Sequence, residues 1–157
     1  MKIWFDTEFI EDGKTIDLIS IGMVREDGAV YYAENAECDL SKAGDWVRIN
    51  VLSQIGNTGV PLRRYQIAND VRAFAGDKPE FWAYYADYDW VALCQLYGTM
   101  MDLPEGWPMY CRDVKQLCDA LGNPKLPKQE DSEHHALLDA KWTQRAYEFL
   151  RRFPGSP

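Results

Sequence analysis

The sequence predicts an α/β domain built on a mixed five-stranded sheet, an antiparallel meander plus two further strands, flanked by helices. Three observations carry that expectation. Three apolar strand-like runs fall within the first 34 residues, separated by two Gly-containing turns. Beyond residue 80, strand-like and helix-like patterns alternate. The chain has 157 residues, 46% apolar and 13% aromatic, which suits one domain around one core.

The elements follow in order. Residues 2–5, Lys-Ile-Trp-Phe, form a short first strand. Glu11-Asp12-Gly13-Lys14 turns the chain into a second strand over 17–24, rich in Ile, Val and Met. Glu26-Asp27-Gly28 is a hairpin signal leading to a third strand over 29–34. A helix over 43–52 carries Trp46, Val47 and Val51. The next, over 61–75, starts with Pro61, ends before Gly76 and sets Ile67, Val71 and Phe74 on one face. Residues 80–85 make the fourth strand, 89–101 a helix, 108–111 the short fifth strand, and 113–121 a helix stopped by Gly122. A Pro/Lys loop over 123–131 precedes the last helix, which opens near Ser132 as N-cap and runs to about residue 152. The Pro-Gly-Ser-Pro tail, from about residue 153, frays. With no repeat and no linker, residues 1–157 are expected to form a single domain.

The formal net charge is −8, which argues against gripping long nucleic acid by bulk attraction. It leaves room for an enzyme that handles only a strand end. No apolar run approaches the roughly 18 residues of a membrane span, and no signal-peptide pattern opens the chain. Cys38, Cys94, Cys111 and Cys118 form no CxxC pair and read as free thiols in a reducing cytoplasm.

Chemistry concentrates in three places. Asp6 and Glu8 are two apart, so on a strand both carboxylates share a face. They repel each other and call for a cation or a proton between them. Asp87 and Asp89 sit at the junction of the fourth strand and the next helix, where either can be a helix N-cap or a ligand. His134-His135 precede Asp139. Five helical residues turn about 500°, which leaves His134 and Asp139 roughly 140° apart. Asp139 can then face a site from the helix while His134 approaches from its first turn or the loop before it. Carboxylates for metal plus one base are the equipment of metal-assisted hydrolysis.

Asp-x-Glu at the end of the first strand, Asp after a late strand and His-x4-Asp at the last helix together resemble the DEDDh 3′–5′ exonucleases of the ribonuclease-H-like fold. The segments Asp6-Thr7-Glu8-Phe9-Ile10-Glu11-Asp12-Gly13, Leu18-Ile19-Ser20-Ile21-Gly22, Gly44-Asp45-Trp46-Val47-Arg48 and Trp107-Pro108-Met109-Tyr110-Cys111-Arg112-Asp113 are similar to the bacterial polyadenylate-specific exoribonuclease AS family. The resemblance covers roughly residues 2–150 and selects Asp89 over Asp87 and His134 over His135. It implies that Asp6, Glu8, Asp89 and Asp139 bind two Mg²⁺ or Mn²⁺ ions and that His134 is the base. It implies a hydrolase that releases nucleoside 5′-monophosphates from the 3′ end of single-stranded RNA, with a preference for adenosine, and it suggests a homodimer.

Single-strand recognition needs apolar faces for bases. Phe9 and Ile10 follow Glu8 directly and are expected to wall the terminal-nucleotide pocket, with Tyr85 as a further candidate. The Glu11 carboxylate, or a backbone group near Phe9, is expected to read the ribose 2′-hydroxyl. Lys125 and Lys128 can meet phosphates. Two alternatives stand beside this reading: a DNA or short-oligonucleotide exonuclease, and a catalytically silent interaction module on the same fold.

Overall fold

The computed structural model describes residues 1–56, 61–129 and 133–156. Its centre is a five-stranded sheet of order β3-β2-β1-β4-β5. Strands β1 (Lys2–Glu11), β2 (Ile16–Arg25) and β3 (Val30–Glu34) form the antiparallel meander. Strands β4 (Glu80–Ala83) and β5 (Arg112–Asp113) add in parallel on the other side. Helices α1 (Asp45–Asn50), α2 (Arg64–Ala75), α3 (Asp87–Cys94), α4 (Val114–Ala120) and α5 (Ala136–Leu150) flank it.

Period-two alternation divides the core between the two faces of the sheet. Ile3, Phe5, Ile21 and Met23 pack with Ile67, Val71 and Leu93 of α2 and α3. Trp4 and Trp82 pack with Val114, Trp142, Tyr147 and Leu150 of α4 and α5. A third cluster, Ile10, Ile19, Ala43 and Val51, seats the α1 segment over the far end of β1 and β2.

The boundaries differ from expectation where backbone geometry intervenes. The first strand does not stop at residue 5. It pairs with β2 as far as Glu11, with a register shift between Glu8 and Phe9. Its pairing with β4 covers only Lys2, Ile3 and Trp4. The fourth strand stops at Ala83, because Tyr85 turns the chain with a left-handed φ of 58°. Helix α3 therefore starts at Asp87, and it ends at Cys94, well short of residue 101. Gly98, at φ 124°, and the Thr99 capping box begin a separate turn there. The fifth strand lies at Arg112–Asp113 and not at 108–111. Helix α5 opens at Ala136, and the expected N-cap Ser132 lies outside the described residues. All four cysteines are free thiols. Among the described residues, no helix is long and apolar enough to cross a membrane.

Candidate active site

The β1–β4 pairing ends at Trp4 and Trp82, and beyond it the edge of β1 opens. Asp89, from the first turn of α3, fills the gap. Its Oδ1 accepts the Thr7 backbone N–H at 2.8 Å and the Thr7 hydroxyl at 2.6 Å. The arrangement pays twice, because an edge donor is satisfied and a carboxylate is pinned beside Asp6 and Glu8. Asp89 is buried, at 5% exposure, while Asp87 in the same turn points to solvent.

Asp139 arrives from the opposite face. Helix α5 crosses β2 at Gly22, which pairs directly with Asp6. The approach is close enough that a Cβ on Gly22 would stand 2.2 Å from the Leu137 nitrogen and 2.3 Å from the Ala136 carbonyl carbon. Bare backbone lets the helix sit down, and Asp139 on its first turn reaches the cluster. Asp139 Oδ2 accepts the His134 backbone N–H at 2.9 Å, and its Oδ1 accepts from Gln129 Nε2 at 2.5 Å. His134 has a left-handed φ of 71°, a conformation that the Asp139 contact supports.

One cleft of about 310 Å³ is lined by Asp6, Glu8, Asp89, His134 and Asp139 together with Phe9, Trp46 and Tyr85. Of the two histidines only His134 faces it. His135 is buried against Tyr32, ring centroids 4.6 Å apart, and burial lowers its pKa. Trp46 packs edge-on to His134 at 4.7 Å. Phe9 stacks on Tyr88 at 5.7 Å.

The electrostatics are those of crowded acids. Burial is the largest cause at each carboxylate, and the neighbouring negative charges add to it. Asp6 is held well above the usual carboxylate range by burial and then by Asp89, Glu8 and Asp139. Glu8 is pushed up to about 8 by burial, Asp139 and Asp89. Asp89 reaches about 7, burial outweighing the Thr7 hydrogen bonds that lower it. Asp139 reaches about 6. Four acids that resist ionising side by side fit a site for cationic charge, and an all-oxygen set suits hard ions such as Mg²⁺ and Mn²⁺. Glu8, His134 and Asp139 also bring one ligand atom each within 4.8 Å of one another. That spacing allows His134 either to ligate an ion or to stand beside one.

The expected nucleotide-binding residues divide. Phe9 and the exposed Tyr85 line the cleft. Ile10 does not, because it is buried under the α1 segment with Ile19, Ala43 and Val51. Glu11 closes the β1–β2 hairpin by accepting the Gly13 N–H at 2.5 Å. Lys128 lies in an adjoining groove with Ile49, Asn50, Gln129 and His134. Three contributors escape the sequence reading. Trp46 is 57% exposed and stands off the core stripe of Ala43, Val47 and Val51, whose spacing of four was the available signal. Thr7, between the two first acids, and Gln129 carry no signal of their own.

Comparison with known proteins follows the same lines. Residues 1–150 match the family model described as the 3′–5′ exoribonuclease Rv2179c-like domain. Two curated Mycobacterium tuberculosis proteins, 3′–5′ exoribonuclease Rv2179c of strain H37Rv and 3′–5′ exoribonuclease MT2234.1 of strain CDC 1551, are each 44% identical over 159 residues. In both cases the match covers 98% of this chain and 91% of the relative. Among solved structures, exonuclease I superposes with a TM-score of 0.70 at 13% identity, covering 98% of this chain and 41% of that one. The RNase domain of yeast Pop2 gives 0.55 at 12% identity, covering 99% and 80%. At such identities the two structures speak for a shared ribonuclease-H-like fold alone.

Proposed function

Because this chain belongs to the Rv2179c-like 3′–5′ exoribonucleases, within the DEDDh 3′–5′ exonuclease family, we propose that it removes nucleoside 5′-monophosphates one at a time from the 3′ end of single-stranded RNA. The observation that carries the proposal is the convergence of Asp6, Glu8, Asp89, Asp139 and His134 on one cleft.

Asp6, Glu8, Asp89 and Asp139 would hold two divalent cations, Mg²⁺ or Mn²⁺. Ions bound there supply charge stabilisation at the attacking and leaving oxygens. The chain's own groups do the rest. His134 takes the proton from the attacking water, an imidazole being suited to that task near neutral pH. Trp46 against its ring and the Asp139 contact to its backbone hold it at the cleft. Thr7 orients Asp89, and Gln129 orients Asp139.

Phe9, Trp46 and Tyr85 offer faces on which unpaired bases stack. Adenine presents a larger surface than a pyrimidine, which agrees with an adenosine preference. Reading the ribose 2′-hydroxyl falls to a backbone group near Phe9, since Glu11 is engaged in its hairpin turn. The test is a rate comparison on equal-length, end-labelled oligo(A), oligo(U), oligo(C) and oligo(dA) with Mg²⁺, Mn²⁺ or chelator. The expected result is metal-dependent release of 5′-monophosphates, fastest from oligo(A). Equal rates on oligo(A) and oligo(dA) would refute the RNA assignment, and no turnover with either ion would refute the activity.

A further inference from the structure

We propose that Asp113 is a positioning residue for the carboxylate cluster, holding through the Ala86 N–H the corner that delivers Asp89. The proposal rests on the reading of that cluster as a cation site. Strand β4 ends at Ala83, Tyr85 turns left-handed at φ 58°, and Ala86 caps α3 with Asp89 one turn further on. Left-handed backbone is unfavourable for a residue with a side chain and persists where its surroundings over-determine it. The Ala86 N–H belongs to a helix start, where donors lack intrahelical partners. Asp113 Oδ2 accepts it at 2.9 Å.

The same carboxylate has a second task. Asp113 is the N-cap of α4, and its Oδ1 accepts from Lys115 N at 2.6 Å and Gln116 N at 3.2 Å. It also ends β5 opposite Ala83. One side chain thus joins the end of β5, the start of α4 and the start of α3. Thr7 then receives Asp89 from the other direction. The corner is held at Ala86 and the carboxylate at Thr7, so Asp89 is fixed at both ends of its reach.

The two tasks can be separated by chemistry. Asn caps a helix about as well as Asp. Its single acceptor oxygen serves the two α4 donors, which turns its NH₂ toward the Ala86 N–H, donor against donor. Ser caps as well, on a side chain too short to span both. Asp113→Asn and Asp113→Ser therefore keep α4 and lose the tether.

The experiment combines Mn²⁺ titration calorimetry, steady-state RNA hydrolysis and amide hydrogen exchange on the full chain. Both variants should lose about 10–100-fold in Mn²⁺ affinity and in kcat, the usual cost of removing an outer partner of a metal ligand. KM for RNA should hold, and raised Mn²⁺ should restore part of kcat. Exchange should quicken at Ala86 and at Thr7 in both variants, whereas a loss of charge alone would leave both amides unchanged and would overturn the proposal. In the wild type the Ala86 amide should be protected, and fast exchange there overturns the proposal even if neither variant folds. Asp89→Asn is the reference. If it binds Mn²⁺ like wild type, the reading of the cluster fails. If it loses binding while both Asp113 variants keep theirs, the cluster stands and the tether falls.

Discussion

Gly22→Ala is the sharpest test of how this site is assembled. Gly22 lies between Asp6 on β1 and Tyr32 on β3, directly beneath the start of α5. An added Cβ would meet the Leu137 nitrogen at 2.2 Å, and the Ala136 carbonyl carbon and Leu137 Cα at 2.3 Å. Ordinary contacts begin near 3.4 Å, so the helix start must withdraw by about 1 Å. All three atoms are backbone, and no side chain can rotate aside to relieve them.

Overpacking of this kind costs about 1–3 kcal/mol and occasionally more, and a backbone clash belongs at the upper end. For a chain of this size that lowers Tm by roughly 6–12 °C at ~2–4 °C per kcal/mol. The effect on rate should be larger than the effect on folding. Asp139 sits two residues beyond Leu137, and a displacement of about 1 Å in a reacting group costs on the order of 10²-fold. The assays are thermal melting in chelator and initial rates at saturating RNA and Mg²⁺. Ser20→Ala is the control, since Ser20 lies on β2 with Gly22, opposite Glu8 of β1, and its buried hydroxyl finds no partner among the described residues. Removing that hydroxyl should be neutral or stabilising. A Gly22→Ala protein with wild-type Tm and rate would refute the claim that bare backbone at residue 22 seats the helix.

Other perturbations give distinct outcomes. Asp6→Asn and Asp139→Asn should each abolish turnover and weaken Mn²⁺ binding in calorimetry, while melting in chelator shows equal or greater stability, because each removes a charge from a mutually repelling set. His134→Ala should lower kcat by about 10²–10⁴ and keep Mn²⁺ binding if His134 acts as base, whereas loss of binding would make it a ligand. His135→Ala should change rate little and cost stability, since that ring is packed on Tyr32. The pKa values of Asp6, Glu8, Asp89 and Asp139 are all raised by folding, so between pH 5 and 8 the folded chain holds protons that the unfolded chain releases. Stability in chelator should therefore fall as pH rises from about 5 to 8, and saturating Mg²⁺ should remove that fall; a melting curve flat across this window without metal would contradict the crowding of the acids.

The part of this site that local pattern can reach is the part set by short spacing. Period two puts Asp6 and Glu8 on one face, and a helix start near residue 134 lets His134 and Asp139 converge from different backbone. What local pattern cannot reach depends on distant neighbours. Asp87 and Asp89 occupy the same helical turn, and the group that separates them is Thr7, 82 residues away. The opening in the sheet exists because β1 continues on β2 after β4 has ended, and β4 ends where Tyr85 adopts a backbone conformation its residue type disfavours. Ile10 has the composition of a pocket wall, yet the third core cluster needs it to carry α1, and α1 in turn brings Trp46 to His134. Gly22 is the middle case. An isolated glycine in an apolar strand announces close approach of another backbone. That the approaching backbone is the one bearing Asp139 follows only once α5 is laid across β2, and it makes packing at residue 22 and charge at residue 139 parts of one device.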